Sequence, residues 1–263
     1  MDAKSNSSEA ADSAQPQFVV TKLAAADEFS NTYRCVFEEQ KCYVRVFDQL
    51  LARGEKLLET LIGHLDALKQ IDSPHLAPII NYNLSGNDFY LFYTVPHHCS
   101  MKSLFKKGFT NDQALEYIQL ISEAFQHVHR QGVILANIKS STVYIEGGRA
   151  VFADPAISWL VASRLHRLQP SIDFCNNQLY AAPELLLNKR ATLQSDTYSL
   201  GCLFHQIQYG SKSLRNRSLG AVEGLRPLPA EMKQCIKEMM SSEASKRPDS
   251  LNLVHLLSSH KAS

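Results

Sequence analysis

No glycine precedes Gly54 in this 263-residue chain. The segment before it therefore has no residue that takes left-handed backbone freely or admits a close neighbour without a Cβ in the way. An excess of charge of either sign is also missing. Lys and Arg number 27 against 26 Asp and Glu, a formal net charge of +1, which gives no reason to expect nucleic acid as a partner. No stretch approaches the ~18 consecutive apolar residues of a membrane span. The opening MDAKSNSSEAADSAQPQ lacks the apolar region of a secretory signal. Cysteines stand at positions 35, 42, 99, 175, 202 and 235, with no Cys-x-x-Cys pair and no zinc-ligand spacing. A reducing, cytoplasmic setting is expected. What is present, 44% hydrophobic and 20% charged residues, is the composition of an ordinary globular core.

Residues 1–17 are small and polar and read as a flexible tail, with a second short tail at 259–263. FVVTKL, TYRCVF and KCYVRVF follow, three runs rich in β-branched and aromatic residues that predict an antiparallel meander. In EKLLETLIGHLDALKQI the apolar residues Leu57, Leu58, Leu61, Ile62, Leu65 and Leu68 recur at three and four, one buried helical stripe stopped by Pro74 and Pro78. PIINYNL and FYLFYTV flank Ser85-Gly86-Asn87-Asp88, a hairpin signal. Beyond Pro96 the pattern turns helical. Asn111 to Gln131 carries Leu115, Ile118, Ile121, Phe125 and Val128 on one face, with Thr110 as N-cap and Gly132 behind. VILANIKSSTVYIE and AVFADP are read as short strands around Gly147-Gly148, and the remainder as mostly helix. The expected fold class is α+β: a small antiparallel β lobe with one helix (about 18–95), then a larger helical lobe (about 97–258).

Three strings resemble the eukaryotic-type protein kinase family, and the resemblance covers roughly residues 18–258. Ala182-Pro183-Glu184 matches the Ala-Pro-Glu motif that ends a kinase activation segment. Ser195-Asp196-Thr197-Tyr198-Ser199-Leu200-Gly201 resembles the start of the family's central helix, and Lys246-Arg247-Pro248 the Arg-Pro pair before its last helix. The resemblance implies a bilobal kinase-like fold in which Glu184 pairs with Arg247 and Asp196 accepts hydrogen bonds from the catalytic-loop backbone.

The same alignment implies that the catalytic set is degenerate. Phosphoryl transfer by a kinase uses a glycine-rich loop, a strand Lys held by a helix Glu, a catalytic Asp and two metal-binding side chains. Here the loop position reads AAADEFSNT, without glycine and with Asp27 and Glu28 in it. Arg45 falls at the strand Lys and His64 at the helix Glu, so that ion pair is lost. In Leu135-Ala136-Asn137-Ile138-Lys139, Asn137 replaces the catalytic Asp while Lys139 is kept, and an amide cannot take a proton from a hydroxyl. Thr142 stands at the second metal ligand, and Asp154-Pro155-Ala156 replaces Asp-Phe-Gly. Asp154 is left as metal ligand or turn residue. Either Tyr93 or Phe92 fills the gatekeeper position, and Pro96 lies at the hinge.

Other features read more plainly. His97-His98-Cys99 is taken as a hinge turn, Cys35 and Cys42 as small buried residues, and Lys102, Lys106 and Lys107 as a solvated face. Nothing marks Ser158, Ser163 or Ser171 as phosphosites. The resemblance thus implies a pseudokinase that binds another protein as scaffold or allosteric regulator. The alternative is a divergent ATP- and Mg²⁺-binding kinase or nucleotide switch, with Arg45, Lys139 and Asp154 as its nucleotide-site residues.

Overall fold

The computed structural model describes residues 18–26, 29–48, 50, 54–95, 99–168, 179–187, 190–210, 213–216, 228–250 and 253. Both expected tails, Asp27, Glu28, Pro96, His97, His98, Ser171 and Cys175 lie outside the described residues.

The meander read from the β-branched runs is β1 (Phe18–Ala26), β2 (Asn31–Phe37) and β3 (Gln40–Phe47). The hairpin at Gly86-Asn87 joins β4 (Ile79–Ser85) to β5 (Asp88–Tyr93), with Gly86 at φ 58°. All pairings are antiparallel and the sheet order is β1-β2-β3-β5-β4. Strand alternation divides the sheet into two faces. One buries Cys35, Phe37, Cys42, Val44 and Phe92. On that face Cys35 and Cys42 sit directly opposite each other, Sγ to Sγ 3.3 Å, as free thiols. Burial, and then the contact with Cys42, push the Cys35 thiol well above its ordinary range. The other face carries two cross-strand rows, Lys22–Arg34–Tyr43–Tyr93 and Ala25–Thr32–Arg45–Leu91.

Helix α1 (Glu55–Lys69) buries Leu57, Leu58, Leu61, Leu65 and Leu68 against the sheet side of the main core. The second part of the chain is built on α2 (Met101–Lys107) and α3 (Asn111–Arg130), followed by the two-stranded β6 (Val143–Glu146) and β7 (Arg149–Phe152). Next come α4 (Ile157–Leu168), α5 (Pro183–Leu186), α6 (Leu193–Tyr209) and α7 (Ala230–Met239). Thr110 caps α3 in a reciprocal capping box with Gln113, as its spacing predicts. Thr192 and Ser195 do the same for α6.

Two expectations need correcting. The stretch Val133–Thr142, read as strand, is a loop, and only Val143–Glu146 pairs. Its backbone is bent by Ala136 at φ 49° and held by side-chain acceptors instead of a ladder. The second is one of detail: α4 lies in the remainder read only as mostly helix, and Ile157, Leu160 and Val161 give it a short apolar stripe that packs on the core.

Candidate functional site

Between the sheet and the second part of the chain lies a cleft of about 530 Å³. The β1–β3 rows form its roof, while Lys102, Lys139, Thr142, Tyr144 and Asp154 form its floor and back wall.

At the back, Asp154 sits at φ 61° and Ala156 at φ 57°, a left-handed turn on either side of Pro155 that points the chain into α4. Such backbone is strained for non-glycine residues, and here side-chain contacts hold it. The amide of Ala156 donates to the Leu135 carbonyl at 2.6 Å. The Asp154 carboxylate meets four donors. Oδ1 accepts the Ser158 N–H at 2.9 Å, which caps the first turn of α4. Oδ2 accepts Asn137 Nδ2 at 2.6 Å and the Ser158 hydroxyl, and lies 3.2 Å from Arg45 Nη1. Arg45 is itself buried, and its Nε donates to Ser30 Oγ at 2.6 Å. The guanidinium of Arg45 is thus drawn to Asp154, across the space between the sheet and the catalytic-loop equivalent.

His64, expected as a plain helix residue, does more. Its Nε2 lies 2.8 Å from the Pro155 carbonyl and ties α1 to the Asp154–Ala156 turn. That contact and the packing of α1 against α4 stand where an ion pair between strand and helix is absent. Thr142 commits its hydroxyl to the loop backbone. Its Oγ1 donates to the Asn137 carbonyl at 2.6 Å and accepts the Lys139 N–H at 3.1 Å, so it braces the loop. Lys139 lines the cleft together with Asp154. Mg²⁺ takes about six oxygens in near-octahedral geometry. One carboxylate with protein donors on both oxygens and one hydroxyl bonded to backbone do not fit that ion.

Tyr93 and Phe92 are separated by the strand alternation. Phe92 is buried in the far-face cluster, whereas Tyr93 faces the cleft beside Arg45. Tyr93 stacks on Tyr43 with ring centroids 5.9 Å apart, and both pack with Tyr144 against Val95, Val151 and Ala153. Burial pushes the Tyr93 phenol up to about 12, with Arg45 opposing, and burial likewise raises Tyr144. The Tyr93 and Tyr144 phenols therefore stay neutral, and their rings fill space between the sheet and the second part of the chain together with that of Tyr43.

Below the cleft, Asp196 at the start of α6 is completely buried. Its Oδ2 accepts the Leu135 N–H and Oδ1 the Ala136 N–H, each at 2.6 Å, and His129 Nε2 lies 3.1 Å from Oδ2. Arg247 makes a two-pronged bridge to Glu184: Nη1 to Oε1 at 2.6 Å and Nη2 to Oε2 at 2.9 Å. Further donors of Arg247 go to the carbonyls of Ser241 and Gln194, and its guanidinium lies 5.0 Å from the Tyr198 ring centroid. Burial pushes the Glu184 carboxyl up, but Arg247, its own backbone and Ser195 together outweigh that and hold it below the ordinary value of 4.5.

The motif order, the cleft between sheet and helices, and the Glu184–Arg247 bridge all suit one family, and the family model described as protein kinase domain matches residues 27–258. The chain belongs to the protein kinase family. Among curated proteins it is 24% identical over 226 residues to hormonally up-regulated neu tumor-associated kinase homolog B of Xenopus laevis, covering 80% of this chain and 36% of that protein. It is 20% identical over 248 residues to serine/threonine-protein kinase PLK4 of Danio rerio, with 88% and 26% covered. A "probable inactive serine/threonine-protein kinase" of Dictyostelium discoideum is 27% identical over 193 residues, with 70% and 16% covered. The chain therefore spans between 16% and 36% of the length of these relatives. Among the described residues no helix is long and apolar enough to cross a membrane, and no group of metal-ligating side chains occurs.

Proposed function

We propose that this kinase domain is a pseudokinase that acts by binding another protein, as scaffold or allosteric regulator in the cytoplasm, and does not transfer phosphate. One observation carries the reading: the Asp154 carboxylate is occupied by Arg45, Asn137 and Ser158. The residue at the catalytic base is thus an amide that donates to the residue at the metal ligand, and the residue at the strand Lys is an internal counter-ion. A general base contributes ~10²–10⁴-fold to rate, against kinase turnovers of ~1–100 per second. Losing base, second ligand and ion pair together degrades one transition state, and such losses are not additive.

Meanwhile the framework residues Glu184, Asp196 and Arg247 keep their partners. The relative named as inactive supports the same reading. So does the surface: of seven large exposed hydrophobic side chains among the described residues, four (Leu179, Leu186, Leu187 and Leu193) fall around α5 and the start of α6. Exposed apolar side chains gathered in one region suit a protein partner better than solvent.

The test is incorporation of labelled phosphate from ATP and Mg²⁺ into the chain itself and into generic protein substrates. Incorporation no greater than that of Asp154→Ala is the expected result. Incorporation that Asp154→Ala abolishes would establish the divergent kinase instead.

A further inference from the structure

We propose that Cys35 and Cys42 form a redox modification site, which hydrogen peroxide closes into a disulfide across the β2–β3 hairpin and small thiols reopen. This stands apart from the scaffold reading, which rests on Asp154, and it holds whichever protein the domain binds.

The hairpin places the two sulfurs. Its turn is Glu38-Glu39, at φ 47° and 65°, the two-residue turn whose twist matches that of the strands it joins. Behind that turn the β2–β3 ladder runs from Phe37–Gln40 to Asn31–Val46 without a bulge. The register is thereby pinned, and Cys35 stands directly opposite Cys42. Opposed residues of an antiparallel pair have Cα atoms ~4.5–5.5 Å apart, inside the ~4.4–6.8 Å that a disulfide spans. The sulfurs already lie 3.3 Å apart as free thiols, and a bond brings them to ~2.05 Å. Closing it asks for side-chain rotation, with the strands left in place.

Buried thiols are ordinarily inert, so the site also needs a way in. β5 covers β3 only from Tyr43 onward, where Tyr43 pairs with Tyr93. At the uncovered start of β3 lies a cavity of about 390 Å³, lined by Gln40, Lys41 and Cys42 together with Pro74, Val95 and Arg149. Gln40 and Lys41 are exposed. A molecule as small as hydrogen peroxide can therefore pass from solvent to Cys42, whereas Cys35 is reached through its partner.

The Cys42 sulfur, its proton given to solvent, attacks one peroxide oxygen and breaks the O–O bond. The products are a sulfenic acid and hydroxide, which takes up a proton as water. Cys35, whose thiol burial and then the Cys42 contact push up to about 12, enters second. Its sulfur attacks Cys42 Sγ, and its proton leaves with the hydroxyl as a second water. Two thiols are oxidised, one peroxide is reduced, and a disulfide and two waters result. A thiol at contact distance captures the sulfenic acid before it oxidises further. In a reducing setting both residues rest as thiols, and the pair responds to a rise in peroxide.

Peptide mapping of the full chain tests this. Trypsin cuts after Arg34, Lys41 and Arg45, so Cys35 and Cys42 fall in separate peptides, 35–41 and 42–45. Only a disulfide keeps them joined. The native chain is treated with hydrogen peroxide, remaining thiols are alkylated in denaturant, and the digest is read by mass spectrometry. The expected product is peptide 35–41 joined to peptide 42–45, lighter by two hydrogens than their sum and split by dithiothreitol. In Cys35→Ala, peroxide should instead leave a sulfenic acid on Cys42 that dimedone traps. Both cysteines alkylated after peroxide, sulfinic or sulfonic acid on Cys42 in place of the bond, either cysteine joined to a different one, or no dimedone label on Cys42 in Cys35→Ala would each overturn the inference.

Discussion

A carboxylate offers about four acceptor positions, and in Asp154 both oxygens meet protein donors, Oδ2 three of them and Oδ1 the Ser158 N–H. Removing it strands the buried Arg45 guanidinium, so Asp154→Ala should lower unfolding free energy by about 3 kcal/mol in chemical denaturation. A mere metal ligand at the surface of an open site would cost little. Arg247→Ala should cost about 3–5 kcal/mol for the same reason, since Glu184 and two carbonyls lose their partner. The Glu184 bridge also sets a pH dependence. Its carboxyl is held below 4.5 in the fold, so its contribution is fully present above that value and is lost as pH falls through the lower folded value. Thermal midpoints of the native chain and Glu184→Gln, measured between pH 6 and 3, should differ most at pH 6 and converge on acidification.

The identities of these residues were legible in the sequence, because Glu184, Asp196 and Arg247 each sit inside a local string with recognisable neighbours. Their pairing distances and the use of Asp154 were not. Arg45, Asn137 and Ser158 are far apart in sequence from one another or carry no motif, and only the folded backbone brings their donors onto one carboxylate. His64 was missed likewise, for its partner is a backbone carbonyl of a distant turn.

At the level of elements, amphipathic spacing predicts α1 and α3 well, with Thr110 as the N-cap of α3, while α6 is placed by its resemblance to the family's central helix. Thr110→Ala should therefore remove about 1 kcal/mol by loss of the capping box. Helix α4 lies in a stretch read only as mostly helix, and its start is not marked there because its first turn is capped from Asp154, a residue that also reads as part of a metal motif. The Val133–Thr142 loop was taken for strand because its apolar side chains are buried in the core, and burial alone does not distinguish a strand from a packed loop. Close approach of α6 to α7 depends on one glycine. A Cβ on Gly201 would lie 2.7 Å from the Met239 Cβ and 3.0 Å from Met240 Cγ. Gly201→Ala should consequently destabilise the chain by about 1–3 kcal/mol in urea denaturation, from overpacking.

Across the whole molecule the two parts differ in how far their chemistry matches the kinase pattern. Framework pairs beneath the cleft keep the geometry that holds α5, α6 and the loop before β6 together. In the cleft itself, side chains have turned on one another: guanidinium on carboxylate, amide on the same carboxylate, hydroxyl on backbone, and tyrosine on tyrosine. The domain keeps a kinase's shape while groups in its cleft pair with one another, which is the physical content of the proposed pseudokinase reading.

That account stands most exposed on the metal. Affinity for ATP should be measured by calorimetry on the full chain with Mg²⁺ and with EDTA, in parallel with Asp154→Ala. Self-satisfaction of Asp154 implies that Mg²⁺ leaves ATP affinity within about threefold of its value in EDTA, in both proteins. ATP binding that is strengthened by Mg²⁺ and loses that gain in Asp154→Ala would contradict it.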